Sequence, residues 1–157
     1  CSRIERSGLT NILMLRIEAR YLMHKYLGKD SLQAIYINCP DPWPKKRQRK
    51  RRLMNHDFLD LSLYCLQDHG ELNFCTDFAD YGESAAELLN QDERFGNFAP
   101  TAYTHDLGDY PVSKYMQRFL DLEQSIFLCR YYKKPGLQIE TPNLSNGFRL
   151  RWSEEVK

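Results

Sequence analysis

The sequence predicts an α/β fold built on a mostly parallel sheet, and three observations predict it. Short apolar runs of strand length alternate along the chain with segments of helical period. Glycines fall where the helical patterns stop, as at Gly8, Gly28 and Gly70. Three acidic residues, Glu18, Asp41 and Asp77, lie just past the carboxyl ends of expected strands. Ligands of parallel sheets bind at that rim, so the three carboxylates point to one shared cleft. A chain of 157 residues with 42% hydrophobic content is long enough for one domain with a buried core.

Taken in order, residues 1–10 read as the end of a helix, with Ile4 and Ser7 leading out and Gly8 as the residue after its cap. Asn11 to Ile17 is an apolar run suited to a buried strand. Ala19 to Leu27 carries a helical face at 19, 22, 23 and 26–27, closed by Gly28. Ser31 to Asn38 is the second strand, and the strand–helix–strand spacing predicts a parallel crossover. Asn55 is an expected N-cap with Asp57 in the first turn. Phe58, Leu61, Cys65 and Leu66 form the face of the following helix, ended by Gly70; Leu59 and Leu63 lie off that face and imply burial on a second side. Glu71 to Thr76 is the third strand. Tyr81 to Asn90 is a helix with Ala85, Leu88 and Leu89 inward. Residues 92–111 are rich in loop signals, with a short strand expected near Ala102-Tyr103-Thr104. A helical turn starts at Ser113, and Ser125 to Tyr132 is the last strand. Beyond Pro135-Gly136 the chain is punctuated by Pro, Asn and Gly, and no element is assigned.

Charge is distributed unevenly. Seven of the 22 Lys and Arg occupy the eight positions Lys45–Arg52. The remaining 149 residues hold 15 cations against 21 acidic residues, a net of −6. An acidic body with one dense basic segment suggests a localised nucleic-acid contact and excludes a uniformly basic coat. No apolar run approaches the ~20 residues that span a bilayer, so no membrane association is expected. The first six residues carry no basic-then-apolar leader pattern. Five cysteines (Cys1, Cys39, Cys65, Cys75, Cys129), odd in number and without Cys-x-x-Cys spacing, suggest reduced and mostly buried thiols in a cytoplasmic protein. The four histidines lack metal-ligand spacing, and no metal site is expected.

The most informative stretch is Cys39-Pro40-Asp41-Pro42-Trp43-Pro44 running into the basic segment. Two prolines restrict the backbone on either side of Asp41 and aim its carboxylate; a turn-capping Asp is the plainer alternative. Trp43 suits either base stacking or the core. The cations suit phosphate neutralisation, with a solvated face or a localisation patch as alternatives. For Glu18 and Asp77 the plainer role is a surface or capping carboxylate, and for Ser113-Lys114-Tyr115 an ordinary helix N-cap.

Pro40-Asp41-Pro42-Trp43-Pro44-Lys45-Lys46-Arg47, continuing to Lys50-Arg51-Arg52-Leu53, resembles the signature of bacterial tRNA (guanine-N7-)-methyltransferases. Cys75-Thr76-Asp77-Phe78-Ala79-Asp80-Tyr81 and Ser113-Lys114-Tyr115-Met116-Gln117-Arg118 are similar to two further motifs of that family, and the likeness runs from about residue 8 to 134. The resemblance implies a Rossmann-like class I methyltransferase fold, S-adenosylmethionine as cofactor, and methylation of guanine N7 at position 46 of tRNA. It implies that Asp41 serves catalysis and, with Glu18, the cofactor. It implies substrate contacts at Lys45, Asp77, Ser113, Lys114, Tyr115 and Met116. Lys46, Arg47, Arg49, Lys50, Arg51 and Arg52 then contact RNA.

Two departures stand out. Met116 occupies a position where the family usually has Glu, and no Gly-x-Gly loop occurs in the chain. The expectation is therefore a partial methyltransferase domain at 1–134 lacking its N-terminal strands, followed by a tail at 135–157, acting as a monomer or homodimer. A non-catalytic tRNA-binding fragment, or a module whose basic arm binds an acidic protein, are the other readings.

Overall fold

The computed structural model describes residues 6–143. Four strands and four helices follow one another: α1 (Ala19–Tyr26), β1 (Leu32–Asn38), α2 (His56–Cys65), β2 (Leu66–Thr76), α3 (Ala79–Gln91), β3 (Phe95–Asn97), α4 (Lys114–Leu120) and β4 (Phe127–Lys133). A 3₁₀ helix, Lys46–Arg51, lies between β1 and α2. The sheet order is β1-β2-β4-β3. β1 and β2 pair in parallel, while β4 runs antiparallel to both β2 and β3. Three strands thus run one way and β4 is reversed between two of them.

Local chemistry explains most boundaries. Asn55 caps α2 by accepting from the Phe58 N–H at 3.0 Å. Helix α2 buries Phe58, Leu59, Leu61, Leu63 and Cys65, which covers two sides as Leu59 and Leu63 implied. Helix α3 turns Ala85, Ala86 and Leu89 inward. Around Leu72, Phe74, Tyr81 and Tyr131 these form the main core. Gly8 has φ +66°, the left-handed geometry expected after a helix end. The expected helix before it lies largely outside the described residues.

Four expectations are corrected. Residues 11–17 form no strand, and Ile12, Leu13, Met14 and Leu15 are exposed. A strand needs a neighbour for its N–H and C=O groups, and among the described residues nothing pairs with this run. The parallel crossover is therefore β1–α2–β2, one unit later than the spacing suggested. Helix α2 stops at Cys65 rather than Gly70, because Leu66 already belongs to β2 and offers its carbonyl to the buried Lys133 Nζ at 2.7 Å. The intervening residues leave the ladder: Leu32 pairs with Leu66 but Ala34 with Glu71, and His69 sits at φ +63°. Near residue 103 a single bridge, Thr104 to Leu128, replaces the expected strand. β3 was not expected, since Phe-Gly-Asn has little strand propensity. A Cβ on Gly96 would lie 2.2 Å from the Tyr132 ring, so glycine is what lets β3 approach β4. Finally, although 135–143 holds no regular element, Leu137 and Ile139 pack on the core.

Candidate active site at the strand ends

The carboxyl ends of β1 and β2 adjoin, with Asn38 opposite Cys75. Cys39 carries the ladder one step further, its N–H donating to the Cys75 carbonyl at 2.9 Å. The chain then turns sharply: Cys39 and Trp43 have φ +45° and +44°, left-handed values that cost a non-glycine residue about 1–2 kcal/mol each. Between them Asp41 is exposed, and among the described residues neither a hydrogen bond nor an ion pair engages its side chain. Asp77, half-buried two residues past Cys75, likewise has no side-chain hydrogen bond or ion pair among the described residues, and its charge opposes ionisation of the Cys39 and Cys75 thiols. Two unpartnered carboxylates therefore stand on neighbouring strand ends. Each is an acceptor when ionised.

Arg52 holds this turn in place. Its side chain is buried, and Nε donates to the Pro42 carbonyl at 2.9 Å. Nη1 donates to Ser84 Oγ at 3.0 Å, Nη2 pairs with the Asp80 carboxylate, and the guanidinium lies 4.7 Å above the Tyr81 ring. Tyr81 in turn accepts from the Met54 N–H at 3.1 Å, and burial pushes its phenol up, keeping the ring neutral. One arginine thus ties the Pro-Asp-Pro-Trp turn to the start of α3. It faces the protein, not an RNA.

The other cations separate into two groups. Arg49 pairs with Asp80 at 2.7 Å, and Arg51 covers the half-buried Trp43 at 4.9 Å. Trp43 is therefore neither core nor an open stacking platform. Lys45, Lys46, Arg47 and Lys50 are exposed and form no ion pair among the described residues. With three residues per 3₁₀ turn, Arg47 and Lys50 stand in one row along the segment. This row is the open cationic face.

Elsewhere the expected residues have local duties. Glu18 caps α1, accepting from the Tyr21 N–H at 3.0 Å and from Arg20 Nε at 2.7 Å. Ser113 caps α4 through the Met116 N–H at 3.2 Å. Lys114 and Tyr115 are exposed, with the Tyr115 ring set edgewise against Phe119 at 4.8 Å. Met116 is fully buried, its sulfur 3.8 Å from Cys75 Sγ. It is a core residue behind the rim.

Sequence reasoning missed a polar cluster under the two carboxylates. Asn38 Oδ1 accepts from the Tyr110 hydroxyl at 2.6 Å and from the Cys75 thiol at 3.4 Å. Cys39 packs against the small core cluster that holds Cys75; the neighbouring Cys75 and burial push the Cys39 thiol up, while Cys39 pulls Cys75 down. Burial, then Cys75, raises the Tyr110 phenol. No sequence signal marks this set, because the β1–β2 register and the loop that carries Tyr110 bring it together from distant segments. Asp80 was also missed as an anchor, although it stands in the quoted Asp77–Tyr81 motif.

Residues 1–129 match a family described as "Putative methyltransferase". A tRNA (guanine-N(7)-)-methyltransferase of Syntrophotalea carbinolica is 47% identical over 156 residues, covering 98% of this chain and 67% of that protein. The chain belongs to the tRNA (guanine-N7-)-methyltransferase family. The enzyme of the same name from Geobacter metallireducens is 42% identical, over 85% of this chain and 64% of that one. For Nitrosomonas eutropha the values are 36%, 79% and 55%. The chain thus spans between about half and two thirds of these relatives. Its four strands, with the reversed β4, form a Rossmann-like methyltransferase sheet. Among the described residues no helix is long and apolar enough to cross a membrane.

Proposed function

We propose that this chain carries the guanine- and tRNA-binding side of an S-adenosylmethionine-dependent enzyme that methylates guanine N7 at position 46 of tRNA in the cytoplasm. Residues 1–134 are its partial methyltransferase domain and 135–157 its tail. The observation that carries this reading is the pair of free carboxylates, Asp41 and Asp77, on adjoining strand ends beside the open row of cations.

The residues present fit the cationic end of the cofactor. Asp41 is exposed and has no partner among the described residues, which leaves it open to an ammonium or sulfonium group; Glu18, the second acidic contact of this reading, would meet the cofactor while holding the α1 N-cap and Arg20. When bound, the cofactor supplies an electrophilic methyl group. Guanine N7 already carries an in-plane lone pair, so no proton leaves it and no general base is needed. Asp41 accepts from the guanine N1–H and N2–H₂ donors, orients N7, and stabilises the positive charge that methylation places on the base. Asp77, Lys45, Ser113, Lys114 and Tyr115 line the substrate side. Arg52, Arg49 and Arg51 set the shape of the turn, and Met116 fills the core beneath it.

Replacing tRNA guanosine 46 with 7-deazaguanosine removes the acceptor atom while leaving both pairing donors. Transfer of labelled methyl from S-adenosylmethionine by the complete enzyme is expected to vanish with that tRNA. Unreduced transfer would refute N7 as the target.

Lys46, Arg47 and Lys50 are expected to neutralise phosphates. Their joint replacement by Gln should weaken tRNA binding and flatten the slope of log affinity against log salt by about 2–3. Filter binding between 50 and 200 mM salt is the check (a range over which phosphate contacts change affinity steeply). An unchanged slope would move the RNA contact elsewhere.

A further inference from the structure

The polar cluster beneath the two carboxylates holds one amide in a fixed orientation, and the chemistry proposed above does not use it. Asn38 is the last residue of β1, three before Asp41 and opposite Cys75 in the ladder. Its Oδ1 accepts from the Tyr110 hydroxyl at 2.6 Å and from the Cys75 thiol at 3.4 Å. Both donors are buried, Tyr110 at 4% exposure and Cys75 at 0%. Burial raises the Tyr110 phenol, so it stays protonated and keeps its donor. Asn38 itself is exposed, and among the described residues its Nδ2 has no hydrogen-bond partner. An asparagine amide carries acceptor lone pairs on Oδ1 and two N–H donors on Nδ2. Here the acceptor end is committed to buried donors, and the donor end is the open one at the carboxyl end of β1.

We propose that Asn38 is a specificity-determining residue that donates from Nδ2 to guanine O6, aimed by the Tyr110 hydroxyl. This contact presupposes the guanine-binding role proposed for Asp41 and completes the same base edge. An ionised carboxylate only accepts, which suits the N1–H and N2–H₂ donors of guanine. O6 lies beside N1 and needs a donor. Adenine carries an amino group at that place, so a fixed donor there meets another donor and rejects the base. Lys45 is exposed and also donates, yet its ammonium is a point charge on a flexible stem and is not aimed. Tyr110 acts through Asn38 and is a positioning residue. Without its hydroxyl, only the longer Cys75 bond resists the amide turning over and showing Oδ1 outward. Tyr110 also stands three residues before Ser113, so its bond to Asn38 joins the Asp41 turn to the other substrate segment.

The test compares tRNAs carrying guanosine or 2,6-diaminopurine riboside at position 46, with the complete enzyme and labelled S-adenosylmethionine. Diaminopurine keeps N7 and the N2 amino group, but has an amino group in place of O6 and no N1 proton. The quantity read is kcat/KM for guanosine over that for diaminopurine. The missing N1–H lowers diaminopurine in every protein alike, so it cancels when proteins are compared. Asn38→Asp, isosteric and at an exposed position, keeps an oxygen for Tyr110 and Cys75 but turns an acceptor toward the base. It is expected to lower the ratio by about tenfold or more. Tyr110→Phe removes only the hydroxyl and should lower the ratio by about threefold. A merely structural Tyr110 would slow both tRNAs equally. An unchanged ratio in Asn38→Asp, at whatever absolute rate, would overturn the contact to O6; an unchanged ratio in Tyr110→Phe would overturn its part in aiming the amide. Absence of transfer to guanosine-46 tRNA by the parent enzyme is a separate result, which would refute the guanine-binding reading and the O6 contact with it.

Discussion

Replacing Asp41 with Asn is expected to lower the rate of methyl transfer by about 10²–10³-fold while changing tRNA affinity by less than about threefold. The substitution keeps size and leaves the turn intact, since nothing among the described residues engages this carboxylate. What it removes is charge. A neutral amide cannot balance the cation forming on the guanine, and it presents an NH₂ donor to a base edge that itself donates. Losing one preorganised electrostatic contact in an active site is commonly worth 10²–10³-fold in rate, and about 2.7 kcal/mol corresponds to the lower figure. Affinity should hold because it rests on phosphates met by Lys46, Arg47 and Lys50. Single-turnover kinetics at saturating tRNA separate the two quantities. A variant that binds more weakly but turns over normally would make Asp41 a docking residue only.

Arg52→Ala should produce the largest loss of stability of any single change in the basic segment. It removes the hydrogen bond to Pro42, the bond to Ser84, the pairing with Asp80 and the stacking on Tyr81, and it leaves space in a buried site. Hydrogen bonds from a charged group contribute roughly 1.5–3 kcal/mol each, though not additively. Asp80 keeps Arg49 as a partner and is partly exposed, which limits the cost of stranding it. A loss of about 3 kcal/mol follows, or a fall in Tm of about 6–12 °C at this chain length. Arg52→Lys retains the charge but not the planar fork that reaches Pro42, Asp80 and Ser84 together, so it should recover only part of the loss. Calorimetry of the three proteins is decisive: a Tm for Arg52→Ala within a degree of the parent would remove Arg52 as the anchor of the turn.

Much of this arrangement was legible in the sequence because it is encoded locally. Asn55 and Ser113 cap helices where their types predicted, and the proline-bracketed Asp41 is an exposed carboxylate on a constrained turn. The 11–17 run misled because apolar character does not supply a strand with a neighbour. Arg52 reads like its six basic companions, and only the fold distinguishes it: the turn into α2 points it inward at Asp80, 28 positions away. Met116 lies behind the rim because α4 packs it on Cys75. Contacts between distant segments set these roles, and composition carries no trace of them.

The central claim is that Asp41 directs methylation to one guanine nitrogen of tRNA. Borohydride reduction followed by aniline cuts an RNA chain at 7-methylguanosine, so end-labelled tRNA reports both atom and position. After incubation with S-adenosylmethionine and the complete enzyme, a single cut at guanosine 46 is predicted, reduced at least tenfold at equal times by Asp41→Asn. No cut, a cut at another residue, or equal cutting by the variant would contradict it.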